Sequence, residues 1–232
     1  MTVSDLTTPR AKTLPTRVAL VDDHELLAQS AAYALRARGI EAHVVEVSSL
    51  EAIEAEVVRI NPRVALLDLH LGALGLSIPL IPGIRAAGID VVVVTGETDR
   101  GLWGACIEAG ATALVEKRLS FDELVDRLHR IVAGDTPMAS SERIDLIARL
   151  HEQRREERTR LEPFTRLTAR EAEVLQRLTR GLSAEQIAAE TYVSLATVRS
   201  HIRAILQKLG VNSQLAAVAT ATSAGWRAHS PE

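Results

Sequence analysis

The sequence predicts an α/β doubly wound, parallel five-stranded sheet followed by a smaller all-α domain, and three observations carry that expectation. From Thr16 to Asp135, apolar runs alternate with segments of helical periodicity, the pattern of successive βα units joined by right-handed crossovers. The run Val64-Ala65-Leu66-Leu67 is apolar at every position, as in a strand buried on both faces, and it delivers Asp68 at its tip. Residues 164–232 instead read as a series of short helices, several opened by capping boxes.

The first strand is expected over Arg17–Asp23 and its helix over Glu25–Arg38, stopped by Gly39. Val44–Val47 reads as the second strand, and Leu50–Ile60 as a helix closed by Asn61-Pro62. After the Asp68 strand comes a loop from His70 to Pro82, then a short helix into Gly88. A strand over Val91–Val94, a helix over Leu102–Ala109 and a strand over Ala113–Glu116 follow. The last helix of this half opens with Ser120-Phe-Asp-Glu123, in which serine and glutamate each satisfy the other's free backbone amide. Residues 1–15 are polar, hold Pro9 and Pro15, and are expected to be a disordered tail rather than a secretory leader.

No apolar window approaches the roughly 18 residues of a membrane span. One cysteine, Cys106, cannot form an intramolecular disulfide and fits a reducing cytosol, so a cytoplasmic protein is expected. The net charge of −3 is uneven: residues 16–136 carry 11 Lys/Arg against 18 Asp/Glu, and residues 164–232 carry 8 against 5. An acidic front half suits a cation site, and a mildly basic back half suits a polyanion.

Open α/β sheets build their sites at the carboxyl ends of the strands. Asp22 and Asp23 end the first strand, Asp68 the third and Thr95 the fourth, while Lys117 follows the fifth. Three carboxylates, a hydroxyl and an ammonium on one sheet edge can hold a divalent cation and a phosphoryl group at Asp68.

Asp22-Asp23-His24-Glu25-Leu26-Leu27, Asp68, Thr95-Gly96 and Lys117 with Ser120-Phe-Asp-Glu-Leu124 resemble the receiver domain of two-component response regulators, a flavodoxin-like fold. The resemblance implies that residues 16–136 form a receiver and that Asp68 accepts a phosphoryl group from a sensor histidine kinase. It further implies Mg²⁺ held by Asp22, Asp23, Asp68 and the backbone carbonyl of His70, with Lys117 and Thr95 on the phosphoryl oxygens. The sequence departs from that pattern in three places. Gly72 replaces the usual proline, Gly75 comes one residue early, and Leu114 stands where an aromatic side chain usually serves the signalling switch. A coupling between Thr95 and an aromatic ring is therefore lost or replaced.

Residues 137–163 are strongly charged, with Ile144, Ile147, Leu150 and Leu161 as a thin apolar stripe, and read as a helical linker rather than a dimerising coil. Beyond it, Thr168-Ala-Arg-Glu171 and Ser183-Ala-Glu-Gln186 open two helices and Ser194 caps a third running to Leu209. Val198, Ile202, Ile205 and Leu209 form one buried stripe of that third helix, and Arg199 and Arg203 share another face. Two short helices about a tight turn, the second basic on its open face, make a helix-turn-helix.

Leu167–Leu175, Gly181-Leu-Ser183 and Thr197-Val-Arg-Ser-His201 closely resemble the LuxR-type DNA-binding domain, so residues 164–232 are assigned to it and the whole chain resembles a NarL/FixJ-type response regulator. That implies double-stranded DNA as a partner, with Arg199, Ser200 and Arg203 at base edges and Thr197, His201 and Lys208 at or near phosphates. It also implies a homodimer on DNA through the final helix, Ser213–Ala224, at Ala216, Ala217, Val218 and Ala221. Two other readings stay open: a regulator acting independently of phosphorylation, and a Mg²⁺-dependent aspartyl phosphohydrolase. The second needs an acid two residues past Asp68, where His70 stands, and a substrate cap, so no enzyme is expected.

Overall fold

The computed structural model describes residues 16–135 and 138–228, so the expected tail at 1–15 lies outside the described residues. The chain divides into two compact units, the first ending at Leu150 and the second beginning at His151.

In the first unit β1 (Arg17–Val21), β2 (Glu41–Val44), β3 (Val64–Asp68), β4 (Asp90–Thr95) and β5 (Ala113–Glu116) form one parallel sheet in the order β2-β1-β3-β4-β5. Val18, Leu20, Val64, Leu66 and Val92 on one face meet Leu35 of α1 (Glu25–Ala37) and Val125, Leu128 and Ile131 of α5 (Phe121–Val132). Ala19, Val21, Ala65, Leu67 and Val93 on the other meet Ile53 of α2 (Leu50–Ile60), Ile84 of α3 (Leu80–Ala86) and Ile107 of α4 (Arg100–Glu108). Successive side chains point to opposite faces, and here both faces are covered. That is why the central strands read as unbroken apolar runs.

Three elements differ from expectation. β2 lies at Glu41–Val44, earlier than the Val44–Val47 run suggested. It is an edge strand, pairing only with β1 (Arg17 opposite Glu41, Leu20 opposite Val44), so its residues need not be continuously apolar. α3 starts at Leu80, ahead of Pro82. The proline falls within the first turn, where an amide has no intrahelical partner to lose. The linker forms a single helix, α6 (Ser140–Leu161), and of the stripe expected on it only Ile144 departs, with Leu146 added. Leu146 and Leu150 are buried and Ile147 packs against the core, whereas Ile144 is exposed.

The second unit packs α7 (Ala169–Thr179), α8 (Ala184–Thr191), α9 (Leu195–Leu209) and α10 (Gln214–Ser223) around Leu175, Leu178, Ile187, Val198 and Ile205. The capping boxes at Ser120, Thr168 and Ser183 all form. Phe164 stacks on Trp226, ring centroids 5.2 Å apart, which ties the segment before α7 to the segment after α10.

Candidate functional site

The order β2-β1-β3-β4-β5 reverses between β1 and β3, and the crevice beyond their carboxyl ends is where such sheets bind ligands. Lys117 Nζ lies 2.5 Å from Asp68 Oδ2 and 3.4 Å from Asp22 Oδ2. Asp68 is buried, and that burial raises its carboxyl above the usual range while the Lys117 ammonium opposes the rise. Burial pulls Lys117 down, but Asp68 and Asp22 outweigh it and its pKa is raised, so it remains an ammonium. The pair is thus a poorly solvated carboxylate facing a fixed cation.

Ligand atoms of Asp22, Asp23, His24 and Asp68 lie within 4.8 Å of one another. Three hard carboxylates at that spacing fit Mg²⁺, which accepts few protein ligands and keeps part of its water shell. His24 joins the cluster unforeseen: its amide donates to Asp22 Oδ1 at 2.8 Å and its Nδ1 lies 2.9 Å from Asp23 Oδ1. Its place beside the acidic pair was the only signal in the sequence. His70 approaches through its backbone, the amide reaching Asp68 Oδ1 at 3.4 Å. The His70 ring turns instead to Glu97, 3.7 Å from its carboxylate.

The loop after His70 explains its glycines. Gly72 has φ +57, and a Cβ there would stand 2.9 Å from Asp23 Oδ2. Proline, fixed near φ −65°, cannot adopt that conformation. The loop closes as a 3-10 turn over Gly72–Leu74, with the Leu71 amide donating to the Gly75 carbonyl at 2.7 Å. Thr95 is buried at the end of β4, and its Oγ1 accepts the Glu97 amide at 2.9 Å. Leu114 is buried on the α4 side of the sheet.

In the second unit Tyr192 takes a left-handed φ of 55° and ends α8, and Ser194 then caps α9 by accepting the Thr197 amide. Burying Val198, Ile202 and Ile205 turns Arg199, Ser200 and Arg203 to solvent, with Thr197 exposed and His201 half-buried. Arg199 Nη2 pairs with Glu185 Oε1 of α8 at 3.1 Å. Glu185, Arg199, Arg203 and Gln214 line a groove of about 650 Å³.

Two sets of expected site residues have partners within the second unit. Lys208 lies on α9 nine residues past Arg199, half a turn out of phase with it. Its ammonium sits 2.6 Å from Glu171 Oε2, in the capping network of α7, so its charge is directed inward. On α10, Ala217 and Ala221 are fully buried in the unit's own core, and Ala216 and Val218 are partly buried. Small side chains there let α10 approach α7 and α9, and the outward positions are Leu215, Ala219 and Thr222.

An acidic crevice at the switch point of a parallel sheet, joined to a helix-turn-helix with an arginine face, defines a signal-receiving, DNA-binding regulator. Residues 18–129 match the response regulator receiver domain, and residues 165–221 match the bacterial regulatory proteins of the luxR family. The chain is 32% identical over 203 residues to the nitrate/nitrite response regulator protein homolog of Haemophilus influenzae, covering 87% of this chain and 93% of that one. It is 30% identical over 205 residues to the nitrate/nitrite response regulator protein NarP of Escherichia coli, covering 88% and 93%. It belongs to the two-component response regulators that join a receiver to a LuxR-type DNA-binding domain, and it is a regulator of transcription. No helix among the described residues is long and apolar enough to cross a membrane.

Proposed function

We propose that this regulator is switched by phosphorylation of Asp68 by a sensor histidine kinase in the cytoplasm, with Mg²⁺, and binds operator DNA as a homodimer. The observation that carries the reading is Lys117 Nζ at 2.5 Å from the buried Asp68 carboxylate, beside Asp22 and Asp23. An Asp68 oxygen attacks the phosphorus of a phosphohistidine. The new O–P bond forms as the N–P bond breaks, and the electron pair stays on the imidazole nitrogen, which takes up a proton. Lys117 moves from the carboxylate to the phosphoryl oxygens and keeps their charge neutralised. Asp22, Asp23 and Asp68 would hold Mg²⁺, which supplies the rest of that neutralisation.

On the DNA side, Arg199 and Arg203 offer bidentate donors to guanine, Ser200 reaches a base edge, and Thr197 and His201 approach phosphates. Lys208 is left out of that set because Glu171 holds it. The homodimer is proposed through Leu215, Ala219 and Thr222, the outward stripe of α10.

The test is incubation with a small phosphodonor and Mg²⁺. One base-labile phosphoryl group is expected on the wild type and none on Asp68→Asn, and equal labelling of the variant would remove the assignment.

A further inference from the structure

Leu114 leaves the first unit without the aromatic ring that would answer Thr95 from β5, yet an indole is wired to Thr95 from α4. Thr95 Oγ1 accepts the Glu97 amide at 2.9 Å, and the Glu97 carbonyl accepts Trp103 Nε1 at 3.0 Å. Glu97 thus joins the buried hydroxyl to the indole through one peptide unit on each side. Trp103 packs against the core cluster that contains Leu114, Met138 and Leu146. Trp103, Leu114, Met138 and Glu142 line a common cleft of about 270 Å³.

The other end of this route is α6. A Cβ on Gly104 would come 2.3 Å from the Leu146 carbonyl oxygen and 2.9 Å from Leu150 Cβ, so α4 and α6 touch backbone to backbone there. Leu146 is fully buried in that contact. Arg143 fixes the register by donating from Nη1 to the carbonyls of Ala111 and Thr112 at 3.2 and 3.1 Å. The helix held this way runs on to Leu161.

We propose that Trp103 replaces the missing aromatic on β5 and carries the state of Thr95 to the linker helix α6. A hydroxyl that turns to a phosphoryl oxygen on Asp68 gives up the Glu97 amide. The Glu97 segment then shifts, the indole loses its acceptor, and α6 loosens from Gly104. Two neutral hydrogen bonds and a close helix contact form a two-state element that the modification biases.

The proposal rests on the phosphoacceptor reading, and the test separates the two. The full chain is treated with beryllofluoride and Mg²⁺, bound fluoride is read by fluorine NMR, and amide hydrogen exchange is followed over residues 140–150. In the wild type, exchange should rise by about twofold to tenfold, the range one net hydrogen bond allows. Trp103→Phe keeps the ring but not the indole N–H, and should bind beryllofluoride while losing most of that rise. Gly104→Ala should exchange fast over 140–150 even without beryllofluoride. Bound fluoride with an unchanged α6 in the wild type, or a full rise in Trp103→Phe, overturns the coupling alone. No bound fluoride overturns the phosphoacceptor reading and the coupling with it.

Discussion

Lys208 on α9 and Glu171 on α7 are joined at 2.6 Å, and the same Glu171 carboxylate accepts the Thr168 amide at 2.7 Å. A basic residue that sequence places among DNA contacts is therefore also paired with the buried capping carboxylate of α7. Lys208→Ala leaves a buried carboxylate with only its cap partners, which should lower the stability of the second unit by about 1–3 kcal/mol. Unfolding followed by Trp226 fluorescence in a Trp103→Phe background measures it. If the melting midpoint is unchanged and affinity for all DNA falls, Lys208 is a phosphate contact after all.

The same pair sets a pH dependence. Burial pushes Glu171 up, but the bonds from Lys208 and Thr168 outweigh it, and its pKa is lowered from the ordinary 4.5. A carboxyl depressed in the folded state contributes stability above its unfolded value and loses it as pH falls through the folded one. The second unit of the wild type should therefore lose stability on acidification below about pH 4.5, and Lys208→Ala should lose less over that interval. Parallel melting curves from pH 6 down to about pH 3 decide it, and equal slopes in the two proteins would count against the pair.

Which parts were legible follows from what each signal measures. Central strands announced themselves because both faces of Val64–Leu67 are covered, and the acid and lysine positions followed from where those strands end. β2 escaped because an edge strand has one paired side and a looser demand for apolar residues. Small residues at Ala217 and Ala221 signalled close approach but not to what, and the approach is internal. Helical phase alone placed Lys208 away from Arg199, whereas only its distance to Glu171 shows the charge is engaged. The link from Glu97 to Trp103 is six residues long and depends on a loop conformation that no periodicity encodes.

Metal binding should register as stability. Any ligand bound only by the native state stabilises it by RT ln(1 + [L]/Kd), about 2.7 kcal/mol at a hundredfold excess over Kd. Mg²⁺ should raise the melting midpoint of the first unit in the wild type and leave Asp22→Asn/Asp23→Asn unmoved. Gly72→Ala should lose much of the response as well, since its Cβ would press on Asp23 from a left-handed backbone. An intact Mg²⁺ shift in both variants would remove the carboxylate site.

Arg199 and Arg203 are one helical turn apart on α9, and the burial of Val198, Ile202 and Ile205 fixes them outward. A base-edge arginine carries discrimination, so losing one should reduce the operator-to-random affinity ratio by about 1–3 kcal/mol, while losing a phosphate contact weakens all sequences alike. Arg203→Ala should show the first behaviour. Arg199 adds a second arm, because Glu185 holds its guanidinium 3.1 Å away and also presents negative charge in the groove. Glu185→Ala should then act in two directions at once. Random DNA should bind more tightly, since a repulsive charge near the phosphates is gone. The operator-to-random ratio should fall, since Arg199 is no longer held in one orientation. Both titrations run side by side at fixed salt. A ratio that stays constant in Arg199→Ala, Arg203→Ala and Glu185→Ala alike would show that α9 is not the helix that reads the bases.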